Sequence, residues 1–380
     1  MKVLLLTNRS AVNGPRIVRS VAAMSKVFDV VVYASELPNE AANGVTYYVS
    51  TQLKNNLPAR VFNYILRKYF RATQFQNILF NSAKLRIRSA IRTHKPDVVI
   101  IHDPVFLSNV AQLKSSCNFK LVFNAHEYYP LEFDNRPNWA ETYQKYYEEL
   151  YSTYLPQVDL LVNVSATIVE KTKEVFGRDS FLLPNAAFYH DLQPKPCGSI
   201  IKVVHHGACI KDRYLERMIE AVGALPERFA LDMYLTKGSN VEYYNQIQNL
   251  CERYSNVKLL QPISFADIVP MLNNYDVGLY LLFAENFNQM AAMPNKIFEY
   301  IQARLALVIS PNVDMAKLVN QWQCGVVSKG FDVVDCIHTL RELSAEKILH
   351  YKMNSSKAAQ VLSSEEFHKQ YLEQIRRLVH

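Results

Sequence analysis

Short apolar runs alternate with amphipathic stretches almost from one end of the chain to the other, and no other feature narrows the fold as much. In the first half, Lys2–Leu6, Phe28–Tyr33, Asp97–Ile101, Lys120–Asn124, Asp159–Val164 and Phe181–Leu183 read as strands. Their nearly continuous Val, Ile and Leu is what strands buried on both faces of a parallel sheet require. Helical periodicity fills the gaps, at Pro15–Ser25, Thr73–His94 and Ala166–Phe176. Pro184–Ser199 interrupts the series, with Pro184, Pro194, Pro196 and Gly198 breaking any period and Asn185, His190 and Asp191 adding turn character. The alternation then restarts with Ile201–His205, Leu231–Leu235, Val257–Leu260, Asp276–Leu281, Ala306–Ile309 and Gly325–Val327, separated by helices such as Arg213–Val222 and Asp267–Asn273. Ser364–Val379 reads as a last amphipathic helix, with Glu365 and Glu366 in its first turn, where acids suit the helix dipole. The sequence thus predicts an α/β protein of two Rossmann-like doubly wound domains joined by one linker. In such sheets ligands sit beyond the carboxyl ends of the strands, so a cleft between the domains is expected to hold the active residues.

The 380 residues fit this reading, because single cores stop growing at roughly 250–300 residues. With 49% hydrophobic residues and only 10 Gly, the composition excludes a disordered or low-complexity chain. Six cysteines show no close pair, which argues against a zinc knuckle or a disulfide framework and for reduced thiols. Met1–Leu6 is apolar for too few residues to form a signal-peptide core, and no run reaches the ~20 apolar residues that span a bilayer. A cytoplasmic protein is expected, at most peripheral on the inner face of the cell membrane.

The net charge of +7 is unevenly spread. Thr51–Pro96 holds ten Lys and Arg with no Asp or Glu, and the rest of the chain is acidic on balance. Within that segment Val61, Phe62, Ile65 and Tyr69 fall at helical spacing, while Arg60, Arg67, Lys68 and Arg71 can occupy the other side. Such a helix is either a solvated face packed on a core or a surface for anionic lipid or a phosphate-bearing acceptor. Nucleic acid is not expected as a partner, since no nucleic-acid motif accompanies the charge.

The strand ends carry the chemistry. Pro294-Asn295-Lys296-Ile297-Phe298-Glu299-Tyr300 should open a helix, whose unpaired N–H groups and dipole suit phosphate, with Lys296 as a further cation. Glu299, one turn in, can accept hydrogen bonds from two vicinal hydroxyls, as a ribose diol requires. The alternative is an ordinary amphipathic helix start with Lys296 and Glu299 exposed. After Ile201–His205 comes His206-Gly207, then Lys211, Asp212 and Arg213, where cations beside a glycine turn can neutralise a diphosphate leaving group. Adjacent strand residues face opposite ways and no third ligand is evident, so His205 and His206 are not expected to bind metal. There is no Asp-x-Asp pair for a divalent ion either.

In the first half, Lys120–Asn124 leads into Ala125-His126-Glu127. His126 can contact a donor sugar or the reacting centre, or else be a structural histidine. His102-Asp103 occupies a similar strand end. Asn13-Gly14-Pro15-Arg16 forms a tight turn into a helix, a phosphate-friendly terminus, but lacks the full Gly-x-Gly-x-x-Gly pattern of a dinucleotide site.

Taken in order, Asn13-Gly14-Pro15-Arg16-Ile17-Val18-Arg19, Asn124-Ala125-His126-Glu127, Leu183-Pro184-Asn185-Ala186 and Pro294–Tyr300 followed by Ala306–Ser310 resemble glycosyltransferase family 4, retaining enzymes of the GT-B fold that use nucleotide sugars. The resemblance implies an acceptor-binding domain over 1–190, a nucleotide-sugar-binding domain over 200–362, and a helix over 363–380 that crosses back onto the first. It further implies His126, Arg213 and Lys296 as catalytic residues, and Glu299, Asn295, Gly207, Lys211 and Ile263 around the donor nucleotide. Gly14 and Arg16 fall to the acceptor or phosphate loop, and Arg60, Arg67, Lys68 and Arg71 to an acceptor or membrane surface. No cofactor and no metal are implied. The partners are a nucleotide-sugar donor and a glycan or lipid-linked acceptor of polysaccharide or lipopolysaccharide assembly. Three departures stand out: Ala291 occupies the first glutamate of the E-x7-E signature, Tyr214 a common glycine, and Arg304 the small residue of the usual A-G-x-P. A nucleotide-sugar 2-epimerase of the same fold, drawing on Glu127 and Asp103, and a catalytically silent binding partner are the competing expectations.

Overall fold

The computed structural model describes residues 1–50, 61, 65, 69, 82–238 and 240–379. Contacts divide the chain into two compact units: Met1–Pro184 with Asn286–Asn288 and Phe367–His380, and Asn185–Glu285 with Gln289–Glu366.

Unit 1 is built on a parallel sheet of seven strands: β1 (Lys2–Leu6), β2 (Asp29–Ala34), β3 (Val45–Val49), β4 (Val98–Ile101), β5 (Lys120–Asn124), β6 (Leu160–Asn163) and β7 (Phe181–Leu182). Their order across the sheet is β3-β2-β1-β4-β5-β6-β7. The direction of winding reverses between β1 and β4, whose register runs Val3 to Val98 through Leu6 to Ile101. Each of the central strands is buried on both faces, and Leu4, Leu6 and Ile101 join one core while Val3, Leu5 and Ile100 join the other. The last helix, Ser364–Arg377, contributes Tyr371 and Ile375 to that second core, both fully buried. Helix Ser82–His94 packs Ile87, Ala90 and Ile91 against the first.

β3 was not among the strands anticipated from pattern. It follows Gly44, which takes a left-handed φ of 76° to turn the chain, and its five residues are mostly half-buried, as an edge strand's are.

Unit 2 repeats the plan with six strands: β8 (Ile201–Ala208), β9 (Phe229–Thr236), β10 (Val257–Leu260), β11 (Val277–Tyr280), β12 (Ala306–Ile309) and β13 (Gly325–Val327), in the order β10-β9-β8-β11-β12-β13. Here the reversal lies between β8 and β11. β8 continues past His205 to Ala208 because all eight of its residues pair with β9, from Ile201 opposite Phe229 to Ala208 opposite Thr236. The helix anticipated from Arg213 begins instead at Leu215, because a short 3-10 turn over Lys211–Arg213 ends on Tyr214 at φ 49°, outside the right-handed helical region.

Among the described residues, no helix is long and apolar enough to cross a membrane, and none of the six cysteines is disulfide-bonded. The basic helix anticipated around Arg60, Arg67, Lys68 and Arg71 lies, apart from Val61, Ile65 and Tyr69, outside the described residues.

Candidate active site

In unit 2 the carboxyl end of β8 carries three residues with three different jobs. Successive strand side chains face opposite ways. His205 therefore turns one way, its Nδ1 3.0 Å from the Leu279 carbonyl oxygen, while His206 turns the other and brings Nε2 to 3.2 Å from Glu299 Oε2. Gly207 sits at φ 134°, where side chains are strained. A Cβ built there would lie 2.7 Å from Lys296 Nζ and 3.7 Å from Arg213 Nη1. That one position thus gathers both cations onto bare backbone at the winding reversal, where an open α/β sheet takes its ligands.

Lys296 belongs to helix Asn295–Gln302, entered through Pro294 and buried along almost its whole length. Only 8% of Lys296 is exposed, and its ammonium stands 5.4 Å from the centre of the Tyr280 ring at the end of β11. Burial and the neighbouring Arg213 push its pKa down to about 7, against an opposing pull from Glu299. Among the described residues Lys296 and Arg213 make no ion pair; Arg213 donates one long hydrogen bond to the Ala208 carbonyl, at 3.4 Å. Two cations held close together and half stripped of water are the environment a polyanion would relieve.

The structure brings Gly207, Arg213, Lys296 and Glu299 together and adds His206, which the sequence suggests only as a metal ligand. The signal for it was its place in a strand one residue from Gly207, facing the helix that carries Glu299. Asn295 opens that helix, half-buried. Lys211 is exposed in the 3-10 turn, and Ile263 lies on the stretch after β10, separated from β8 by β9. Ala291 is fully buried. After β12, Ser310 accepts from the Leu282 N–H at 2.8 Å and Asn312 donates to the carbonyls of Leu282 and Gln289, which pins the loop between β11 and helix Asn295–Gln302.

In unit 1 the carboxyl ends of β1, β4 and β5 also converge. Gly14 precedes helix Pro15–Met24, and a Cβ on it would collide with the Ser10 carbonyl oxygen, so the turn needs glycine for close approach. Arg16 is buried, and both its Nε, at 3.0 Å, and its Nη2 donate to Asn124 Oδ1 at the end of β5. Burial, only partly opposed by Tyr371 and Tyr129, brings its pKa down to about 9. Asp103 accepts from Thr7 Oγ1 at 3.0 Å and from the Asn8 N–H at 2.8 Å, which ties the ends of β1 and β4 together.

His126 follows β5 and is half-buried, and its Nε2 lies 3.0 Å from Nδ1 of the fully buried His102. Burial first, then Arg16 and Arg9, hold both imidazoles well below the usual histidine value, so both are neutral at pH 7.

Residues 18–186, nearly the whole of unit 1's main segment, match the sequence model of Glycosyltransferase Family 4. No curated protein matches the chain significantly. Among solved structures, sucrose-phosphate synthase from Thermosynechococcus elongatus aligns over 100% of this chain and 99% of its own, with TM-score 0.73 and 13% identity. Anabaena HepE in complex with UDP-glucose aligns over 99% and 100%, with TM-score 0.71 and 14% identity. An Escherichia coli trehalose-6-phosphate structure bound with UDP-2-fluoro glucose aligns over 98% of both chains, with TM-score 0.65 and 13% identity. At these identities the solved structures speak to the fold alone. The chain has the GT-B fold of these structures, and its residues 18–186 are similar to Glycosyltransferase Family 4.

Proposed function

We propose that this protein transfers a hexose from a nucleoside diphosphate to a hydroxyl of a glycan or lipid-linked acceptor, with retention of configuration at the transferred carbon. The observation that carries this reading is the convergence of Arg213 and Lys296 over Gly207, with Glu299 one turn into the same helix as Lys296. A breaking sugar–phosphate bond leaves negative charge on the diphosphate, and fixed cations in a dry site stabilise that charge without reorganising. Glu299 supplies the acceptor oxygens for a ribose diol, with His206 Nε2 3.2 Å from its Oε2. In unit 1, the family resemblance assigns His126 to the donor sugar.

The step needs no carboxylate nucleophile. In a front-face displacement the departing phosphate oxygen takes the proton of the acceptor hydroxyl as the new bond forms on the same face. The chain's contribution is orientation and charge stabilisation. Arg213 and Lys296 also fill the place a divalent ion would take, so chelation with EDTA is expected to leave turnover unchanged.

Two of the similar structures were solved with UDP-hexoses, which makes UDP-glucose the first donor to test. A role in surface-polysaccharide or lipopolysaccharide assembly draws its support from the acid-free basic stretch Thr51–Pro96, suited to an anionic lipid carrier. Phosphorylated sugars are the acceptors to set against it, since sucrose-phosphate and trehalose-phosphate synthases share the fold. Release of nucleotide from UDP-, GDP-, ADP- and TDP-glucose, with each acceptor class in turn, tests the reading. Glu299→Ala and Arg213→Ala should each lower turnover about 100-fold, the scale of losing one preorganised charge contact. Near-normal rates in both would remove the assignment.

A further inference from the structure

We propose that His102 is a positioning residue that fixes the tautomer of His126, so that His126 offers a hydrogen-bond donor at Nδ1 and is not a base. The role of that donor rests on the reading of His126 given above; the tautomer itself does not.

His102 is fully buried just beyond β4, and its Nδ1 is 3.0 Å from His126 Nε2. Two neutral imidazoles at that distance share one proton, and only two arrangements are possible. In the first, His102 Nδ1–H donates to His126 Nε2, which leaves His102 Nε2 as a bare lone pair. In the second, His126 Nε2–H donates to His102 Nδ1, which places a proton on His102 Nε2. That Nε2 is buried and has no hydrogen-bond partner among the described residues. An orphaned buried N–H is rarer in folded proteins than an under-satisfied acceptor, so the first arrangement holds. Its consequence reaches His126: with Nε2 accepting, the ring proton must sit on Nδ1. No other hydrogen bond of His126 is formed within the described residues, so Nδ1–H is the group it presents.

The surroundings keep the pair in this state. Arg16, fixed on Asn124 at the end of β5, and Arg9, 3.7 Å from Asp103, both oppose a second proton on either ring. A histidine locked neutral with its acceptor nitrogen occupied cannot take a proton from an acceptor hydroxyl, which agrees with a front-face transfer in which the departing phosphate does so.

The test is nitrogen-15 NMR of the imidazoles at pH 7.5, with His126 assigned by the loss of its signals in His126→Gln. In the wild type, Nδ1 should show the protonated shift and Nε2 the unprotonated one. In His102→Leu the His126 ring should move to a population dominated by the Nε2–H tautomer. His102→Asn, whose amide N–H reaches the same place as Nδ1–H, should keep the wild-type pattern. Should His102→Leu fail to fold, the wild-type and His102→Asn spectra still decide. A wild-type His126 protonated at Nε2, or a tautomer unchanged in His102→Leu, would overturn the proposal. Turnover separates it from the reading it rests on: His102→Leu should lower kcat about tenfold or more, with His102→Asn within about threefold of wild type. A shifted tautomer with unchanged turnover would uphold the positioning role and discard His126 as a donor contact.

Discussion

At the scale of the residue, Lys296 carries the most chemistry. Burial and the neighbouring Arg213 bring its pKa down to about 7, so near neutral pH its charge responds to what binds beside it. A bound diphosphate favours the ammonium and raises that pKa, so binding takes up a proton. The sign follows: affinity is greatest below pH 7 and weakens as pH rises toward the raised value in the complex. Calorimetry of UDP binding at pH 8, in buffers of different ionisation enthalpy, should show uptake approaching one proton, and Lys296→Met should abolish it. No dependence on the buffer would mean that Lys296 stays out of contact with the phosphates. Lys296 and Glu299 were legible in the sequence because three-residue spacing in a helix with Pro before it places both near one end. The His206–Glu299 and Arg16–Asn124 pairings were not, since each joins residues far apart in sequence through strand order alone.

At the scale of the element, two non-glycine residues hold left-handed backbone at positions where the family that the sequence resembles commonly carries glycine or another small residue: Tyr214 at φ 49° and Arg304 at φ 61°. Arg304 compensates for its strain. Its fully buried guanidinium donates to the carbonyls of Leu192 at 3.1 Å, His190 at 2.6 Å and Gln302 at 2.6 Å, which clips the irregular stretch after Pro184 onto the end of helix Asn295–Gln302. Losing charged hydrogen bonds of this kind costs about 2–4 kcal/mol. Arg304→Ala should destabilise unit 2 by that amount and expose residues 189–192 to protease. Arg304→Gly should be milder by about 1 kcal/mol, because glycine carries no left-handed penalty. Urea unfolding with limited proteolysis checks both; an Arg304→Ala protein as stable as wild type would contradict the clip. The sequence showed a large residue at a position where a small one is common but not what it does there, because two of the carbonyls Arg304 reaches, those of His190 and Leu192, belong to a segment with no regular structure to predict.

At the scale of the whole molecule, the two sheets were the most legible feature. Buried parallel strands write themselves as continuous Val, Ile and Leu, and right-handed crossovers then leave few orders to choose from. Edge strand β3, half solvated, writes a weaker pattern. Each unit also hides one fully buried neutral histidine, His102 in unit 1 and His205 in unit 2, which burial holds well below the usual 6.5. Unfolded, both rings bind protons below pH 6.5; folded, they do not. The stability this preserves is intact above pH 6.5 and is lost as pH falls, by up to about 1.4 kcal/mol per pH unit for each ring. Urea unfolding at pH 7.5, 6 and 5 should show that decline in both units, and His205→Leu should flatten it in unit 2. A stability flat to pH 5 would mean that one of these rings accepts a proton in place.

The proposed diphosphate site is tested most directly by titrating UDP-glucose into the wild-type protein and into Gly207→Ala. The added methyl meets Lys296 Nζ and Cε at 2.7 and 2.8 Å and sits in strained backbone, yet changes no charge and removes no side chain. If the diphosphate lies against Gly207 between Arg213 and Lys296, the wild type binds and the variant loses at least tenfold in affinity while keeping its fold by circular dichroism. Equal affinity in the two proteins would place the nucleotide elsewhere.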